Sequence, residues 1–124
     1  MPYQLTIEQR RTYVHTKVVG ERTPENALRF LRDSCRACVS QGHGAVLLDV
    51  HLSGPDLTTT SVYEVISSWV PEALKLRKIA YVEDSNDDAS TSAFVETVAV
   101  NRGVNLRLFR DVASAASWLS DDGK

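Results

Sequence analysis

The segment that most restricts the fold is Ala45-Val46-Leu47-Leu48, an apolar run that continues through Asp49 to Val50. Four consecutive apolar residues leave no polar face. A strand of this kind must be covered on both sides, and such strands are usually parallel and central in a sheet. Parallel neighbours need crossover connections, most often helices. The flanking sequence supplies them. Thr23-Pro24-Glu25-Asn26 offers a threonine cap, a proline at the first helical position and an acidic first turn. Leu28, Leu31, Cys35 and Cys38 then recur at steps of three, four and three, forming one apolar stripe, and the helix should end near Gln41-Gly42. After the run, Gly54-Pro55-Asp56 breaks the chain. A second helix starts within Thr58-Thr59-Thr60, with Val62, Val65, Ile66 and Trp69 inward. Pro71 should end it or begin a further turn containing Ala73 and Leu74.

The pattern then repeats. Lys78 to Val82 reads as a strand, and Ser85-Asn86-Asp87-Asp88 as turn and cap. Phe94, Val95, Val98 and Ala99 have helical spacing, closed by Gly103 as a left-handed cap. Val104 to Phe109 alternates as a strand, and Asp111 caps a last helix with Val112, Ala115, Ala116 and Leu119 inward. At the start, Tyr3 to Ile7 and Thr12 to Val18 alternate as a hairpin, with His15 on the outward face beside Tyr13 and Lys17. The order is β-β-α-β-α-β-α-β-α. It predicts one α/β domain over 1–124, with a mostly parallel sheet, right-handed crossovers and one antiparallel N-terminal edge strand. A chain of 124 residues, 43% hydrophobic and 24% charged, suits one such core.

The same numbers exclude some functions. A net charge of -2 without a basic cluster argues against a nucleic-acid surface. No apolar stretch is long enough to span a bilayer. Met1-Pro2-Tyr3-Gln4 lacks the basic-then-apolar pattern of an export signal, so a cytoplasmic location is expected. Cys35 and Cys38 should then stay reduced. Their Cys-x-x-Cys spacing lies about three turns into a helix on its apolar stripe, which favours core packing over redox chemistry. No second pair offers zinc ligands. No cofactor or metal is expected. The first strand forms a sheet edge, and edges can pair, so a homodimer is one expectation.

Ligand sites in open α/β sheets gather at the carboxyl ends of the strands. Here that edge collects Glu21, Thr23, residues 49–61, residues 83–88 and Arg110. The candidates on it fall into three groups. Thr58, Thr59, Thr60 and Ser61 sit where a phosphate would meet free N–H groups and the positive end of a helix dipole, although plain capping is the simpler role. Asp49, His51 and Ser53 carry acid–base and nucleophilic groups, but no second histidine or nucleophile turn stands beside them in the sequence. Glu83 and Asp84, with Asp87 and Asp88, could hold a hard cation, although their spacing fits no EF-hand and capping with dipole complementation is the favoured role.

Several segments together resemble the STAS superfamily, and most of all its SpoIIAA-like branch of bacterial single-domain proteins, also called STAS/SEC14-like. They are the opening hairpin, Val19-Gly20 leading into Thr23-Pro24-Glu25-Asn26, Leu47-Leu48-Asp49, Leu52-Ser53-Gly54-Pro55, residues 99–104, Leu108-Phe109 and residues 115–119. The resemblance covers nearly the whole chain. It implies a non-enzymatic regulatory or binding domain acting on a protein partner or small ligand. Antagonists of this superfamily are switched by phosphorylation of a serine after a short Asp-Ser loop. Here the corresponding stretch is Asp56-Leu57-Thr58-Thr59-Thr60-Ser61, which departs from that pattern. The SEC14-like label also permits a small apolar ligand or lipid, in a pocket lined by residues such as Val65, Trp69 and Phe94. A third likeness is to response-regulator receivers. Leu47 to Gly54 resembles their phosphoacceptor strand and Tyr81-Val82-Glu83-Asp84 their acidic pair, which would put Mg²⁺ beside Asp49. The chain order is wrong for a receiver, and Arg110-Asp111 stands after Phe109 where a receiver has lysine.

Overall fold

The computed structural model describes residues 3–55, 57–83 and 90–121, with side chains in the last segment from 93 onward. The elements run β1 (Gln4–Gln9), β2 (Val14–Glu21), α1 (Pro24–Ser40), β3 (Ala45–Ser53), α2 (Thr59–Ala73), β4 (Lys78–Glu83), α3 (Ser90–Asn101), β5 (Leu106–Phe109) and α4 (Val112–Leu119). They build one five-stranded sheet in the order β1-β2-β3-β4-β5. Only β1 is antiparallel to its neighbour. This is the element order and sheet type that the sequence implies, with the apolar run at the sheet's centre.

Sequential strand order has a consequence for the layers. Every crossover moves one strand in the same direction with the same hand, so α1, α2 and α3 all land on one face. The main core lies there. Val14 and Val18 of β2, Val46, Leu48 and Val50 of β3 and Ile79 of β4 pack against Phe30, Leu31, Cys35, Ile66, Trp69 and Val98. The other face carries only α4, whose Ala115 and Leu119 cover Ala45, Leu47, Ala80 and Val82. The eight residues of α4 reach over β3, β4 and β5, and β1 and β2 are left open on that side.

The local signals act as their chemistry requires. Thr23 Oγ1 accepts from the Asn26 N–H at 3.0 Å, and Asp111 Oδ1 from Ser114 at 2.7 Å. Gly103 adopts φ 87°, the left-handed conformation that a C-terminal cap needs. Of the two outcomes expected at Pro71, the further turn is the one found: Pro71 lies inside α2, which continues to Ala73 with Leu74 as its cap. The missing N–H would have reached the carbonyl of Ser67, and its loss is tolerated within a turn of the helix end.

Lys78 is the least expected core residue. It is fully buried, and its Nζ donates to the carbonyls of Trp118 at 2.8 Å and Asp121 at 2.7 Å. These carbonyls stand at the C-terminal end of α4, where the helix dipole favours a cation. The ammonium also lies 5.2 Å from the Trp118 ring centroid. The lysine thereby fastens α4 to the sheet.

Candidate functional site

The four parallel strands end at one edge, but their order never reverses. A topological switch point, the usual crevice in such sheets, is therefore lacking. Arg22, just beyond β2, ties the edge together instead. Its guanidinium donates to the carbonyl of Leu52 at 2.8 Å, to the carbonyl of Gly54, and to Glu83 Oε2 at 2.9 Å. Its backbone N–H donates to Ser53 O at 2.7 Å. One side chain thus links the carboxyl ends of β2, β3 and β4. Glu83 Oε1 lies 3.4 Å from the Tyr81 hydroxyl. Burial and the Glu83 carboxylate push that hydroxyl far above its ordinary range.

Beneath Arg22 and Glu83 lies an apolar cavity of about 50 Å³ between the sheet and the first three helices. Phe30, Leu31, Val50, Leu57, Val65 and Ile66 contribute to its walls. Val65 lines it as expected. Trp69 does not, because it is fully buried and donates its indole N–H to Cys35 Sγ at 3.2 Å. Phe94 packs against the core without lining the cavity. An engineered cavity of roughly 150 Å³ accepts benzene. This one is a third of that size.

Register divides the candidate residues between two faces. Val50 pairs with Glu83, and Asp49 pairs with Val82. Paired residues on neighbouring strands share a face. Glu83 therefore points to the α1–α3 side with Val50, and Asp49 points to the α4 side with Val82. The carboxylates that a receiver would place around one Mg²⁺ are not brought together as far as Glu83 is concerned. Asp84, Asp87 and Asp88 lie outside the described residues.

Asp49 has a different neighbourhood. It is 7% exposed, and both its oxygens accept hydrogen bonds from imidazoles. His15 Nε2 lies 3.0 Å from Oδ2, and His51 Nε2 lies 2.7 Å from Oδ1. An ionised carboxylate only accepts, so both histidines must carry a proton on Nε2. Sequence reasoning found no second histidine for this aspartate. The missing partner is His15 on β2, which that reasoning had already placed on the outward face of its strand. The β2–β3 register pairs His15 with Leu47 and Lys17 with Asp49. The backbones of the two histidines therefore stand about 13 Å apart along the strands at 3.3 Å per residue, and their rings reach in from opposite ends to one carboxylate. That geometry clamps a carboxylate without forming a chelate. Among the described residues, no three histidine, cysteine or acidic groups converge to hold a metal. His15, Lys17 and Asp49 also line an open polar hollow of about 340 Å³ with Thr6 and Glu8.

The remaining candidates have simpler roles. Ser53 is exposed and donates to the carbonyl of Gly20 at 3.2 Å. Thr58 is the N-cap of α2, its Oγ1 accepting from the Ser61 N–H at 3.1 Å. Thr59 and Thr60 follow in the first turn and are exposed, while Ser61 is half-buried. Cys35 and Cys38 are buried free thiols. Burial pushes Cys35 up to about 12 and Cys38 up to about 11, so neither is a nucleophile near neutrality. Arg32 and Arg36 reach Glu72 of α2 at 3.7 and 3.6 Å, weak pairs that steer α1 against α2.

In comparison with known proteins, no family profile and no curated protein matches the chain. No helix among the described residues is long and apolar enough to cross a membrane.

Proposed function

We propose that this chain is a non-enzymatic regulatory module of SpoIIAA-like type, binding a protein partner or small ligand at the carboxyl edge of its sheet. The observation that carries the reading is Arg22. It joins the ends of three parallel strands into one fixed platform, beside the exposed first turn of α2. A platform whose charged groups are already paired suits recognition by shape and by surface hydroxyls. Chemistry would call for a group held ready at a reacting atom. Thr59 and Thr60 stand where a phosphate would gain from the helix N-terminus, which makes them the positions for a switch. The cavity under Arg22 favours a second reading, a small apolar group held among Leu57, Val65 and Ile66.

A photo-crosslinking residue placed at Thr59 in cells producing the protein tests the first reading. It should trap a discrete partner that the same residue at Gln41, on the opposite edge of the sheet, does not. The isolated partner should then perturb the backbone amides of Arg22 and residues 57–61 in NMR spectra. Mg²⁺ with acetyl phosphate should not stabilise the protein. Stabilisation by that mixture, abolished in Asp49→Asn, overturns the proposal.

A further inference from the structure

Sheet edges in natural proteins are usually blunted. Short strands, lysine, proline, bulges or a covering element prevent pairing with another chain. The two edges of this sheet are treated differently. β5 has four residues and packs against both α3 and α4. β1 has six residues, Gln4-Leu5-Thr6-Ile7-Glu8-Gln9, with no proline and no lysine. Its register with β2 is unbroken from Gln4↔Val19 to Gln9↔Val14, so no bulge twists it away. All of its side chains except Leu5 are exposed, and Ile7 is 40% exposed.

The sequence of β1 is self-complementary in an antiparallel register centred on Thr6, which pairs more of the strand than an axis through Leu5 does. An antiparallel pair keeps matching faces only when the two residue numbers are both even or both odd. A two-fold axis through Thr6 satisfies this and places Thr6 opposite Thr6. Leu5 then faces Ile7 twice on the helix side, continuing the apolar layer. Gln4 faces Glu8 twice on the open side, an amide opposite a carboxylate. Threonine pairs and apolar pairs are favourable cross-strand neighbours. An axis through Ile7 would set Thr6 against Glu8 and Leu5 against Gln9, and an axis through Glu8 would oppose two carboxylates. We infer that β1 is a homodimerisation edge, and that a second copy pairs antiparallel about Thr6 to make a continuous ten-stranded sheet. Such a contact is isologous and closes on itself, so it yields dimers and not fibres. It also lengthens the polar hollow of Thr6, Glu8, His15 and Lys17 across the axis, making that groove a property of the pair. The inference does not depend on the carboxyl-edge reading, because the pairing groups lie along the lateral edge of the sheet formed by β1.

Sedimentation velocity over a range of protein concentrations provides the test. The wild-type chain should interconvert between monomer and dimer. Thr6→Lys sets two ammonium groups face to face on the axis and should weaken the dimer at least about tenfold. Thr6 is exposed, so the monomer should keep its circular dichroism spectrum. Charges at position 4 read the register. Gln4→Lys should tighten the dimer against Glu8, and Gln4→Glu should loosen it. Thr6→Cys should form an intermolecular disulfide on mild oxidation, whereas Gln9→Cys should not. A wild-type chain that stays monomeric at every concentration overturns the inference. So does a dimer insensitive to Thr6→Lys, or one on which the two position-4 variants act alike.

Discussion

Replacing Asp49 by alanine separates a structural clamp from a reactive group. The side chain is 11% exposed and accepts from His15, itself 13% exposed, and from His51, 37% exposed. A hydrogen bond to a charged group contributes roughly 1.5–3 kcal/mol when shielded, and less when one partner reaches water. Counting the His15 bond in full and the His51 bond at about half gives a loss of about 2–4 kcal/mol for Asp49→Ala. Asp49→Asn keeps the shape and one acceptor and should lose about 1–2 kcal/mol. For a domain of this size each kcal/mol lowers Tm by roughly 3–6 °C. Urea unfolding followed by circular dichroism measures the loss directly. A cycle pairing Asp49→Ala with His15→Gln should show coupling of about 1 kcal/mol or more. A group held for chemistry is commonly placed at some cost in stability, so removing it stabilises the fold. An Asp49→Ala variant as stable as wild type, or more stable, would refute the clamp.

Three further outcomes follow from the same contacts. Arg22→Ala takes the guanidinium away from Glu83, which is 11% exposed, and releases the loop carbonyls of Leu52 and Gly54; it should cost about 2–4 kcal/mol by denaturant titration, and adding Glu83→Gln should recover part of that loss. Lys78→Met removes the cation under the C-terminus of α4 and should speed hydrogen exchange in residues 112–119 far more than in α1, so uniform acceleration would count against it. Alkaline pH should unfold the chain, because burial holds Cys35, Cys38 and Tyr3 in their neutral forms, at about 12, about 11 and about 12 against ordinary values of 9.0, 9.0 and 10.0. The unfolded chain ionises first, so this stability is intact below pH 9 and is lost as pH climbs towards 12; an unfolding midpoint flat across that range would refute it.

The order of elements was legible because each boundary carries its own chemistry. Thr23-Pro24, Gly103 and Asp111 act through local backbone geometry that any tertiary context preserves. The face on which each buried side chain points was much less legible. β3 and β4 are covered on both sides, so they show no alternation between apolar and polar residues. Without alternation the parity of Glu83 relative to Asp49 is hidden, and two carboxylates that look adjacent along one edge prove to point apart. His15 was hidden for a related reason. It is 34 residues from Asp49, and only the β2–β3 register brings them together. Lys78 was unreadable as a core residue because lysine is rarely buried without a partner, and its partners are backbone carbonyls that carry no sequence signal. Arg22 escaped notice on the same account, since two of its acceptors are carbonyls of the loop after β3.

The central claim is that the carboxyl edge around Arg22 and Thr59 is a recognition surface. Paired crosslinking from Thr59 and from Gln41 in the same cells tests it most directly. One discrete adduct is expected from Thr59, none from Gln41, and the Thr59 adduct should be lost in Arg22→Ala under conditions where that variant remains folded. An adduct from Gln41 with none from Thr59 would contradict it.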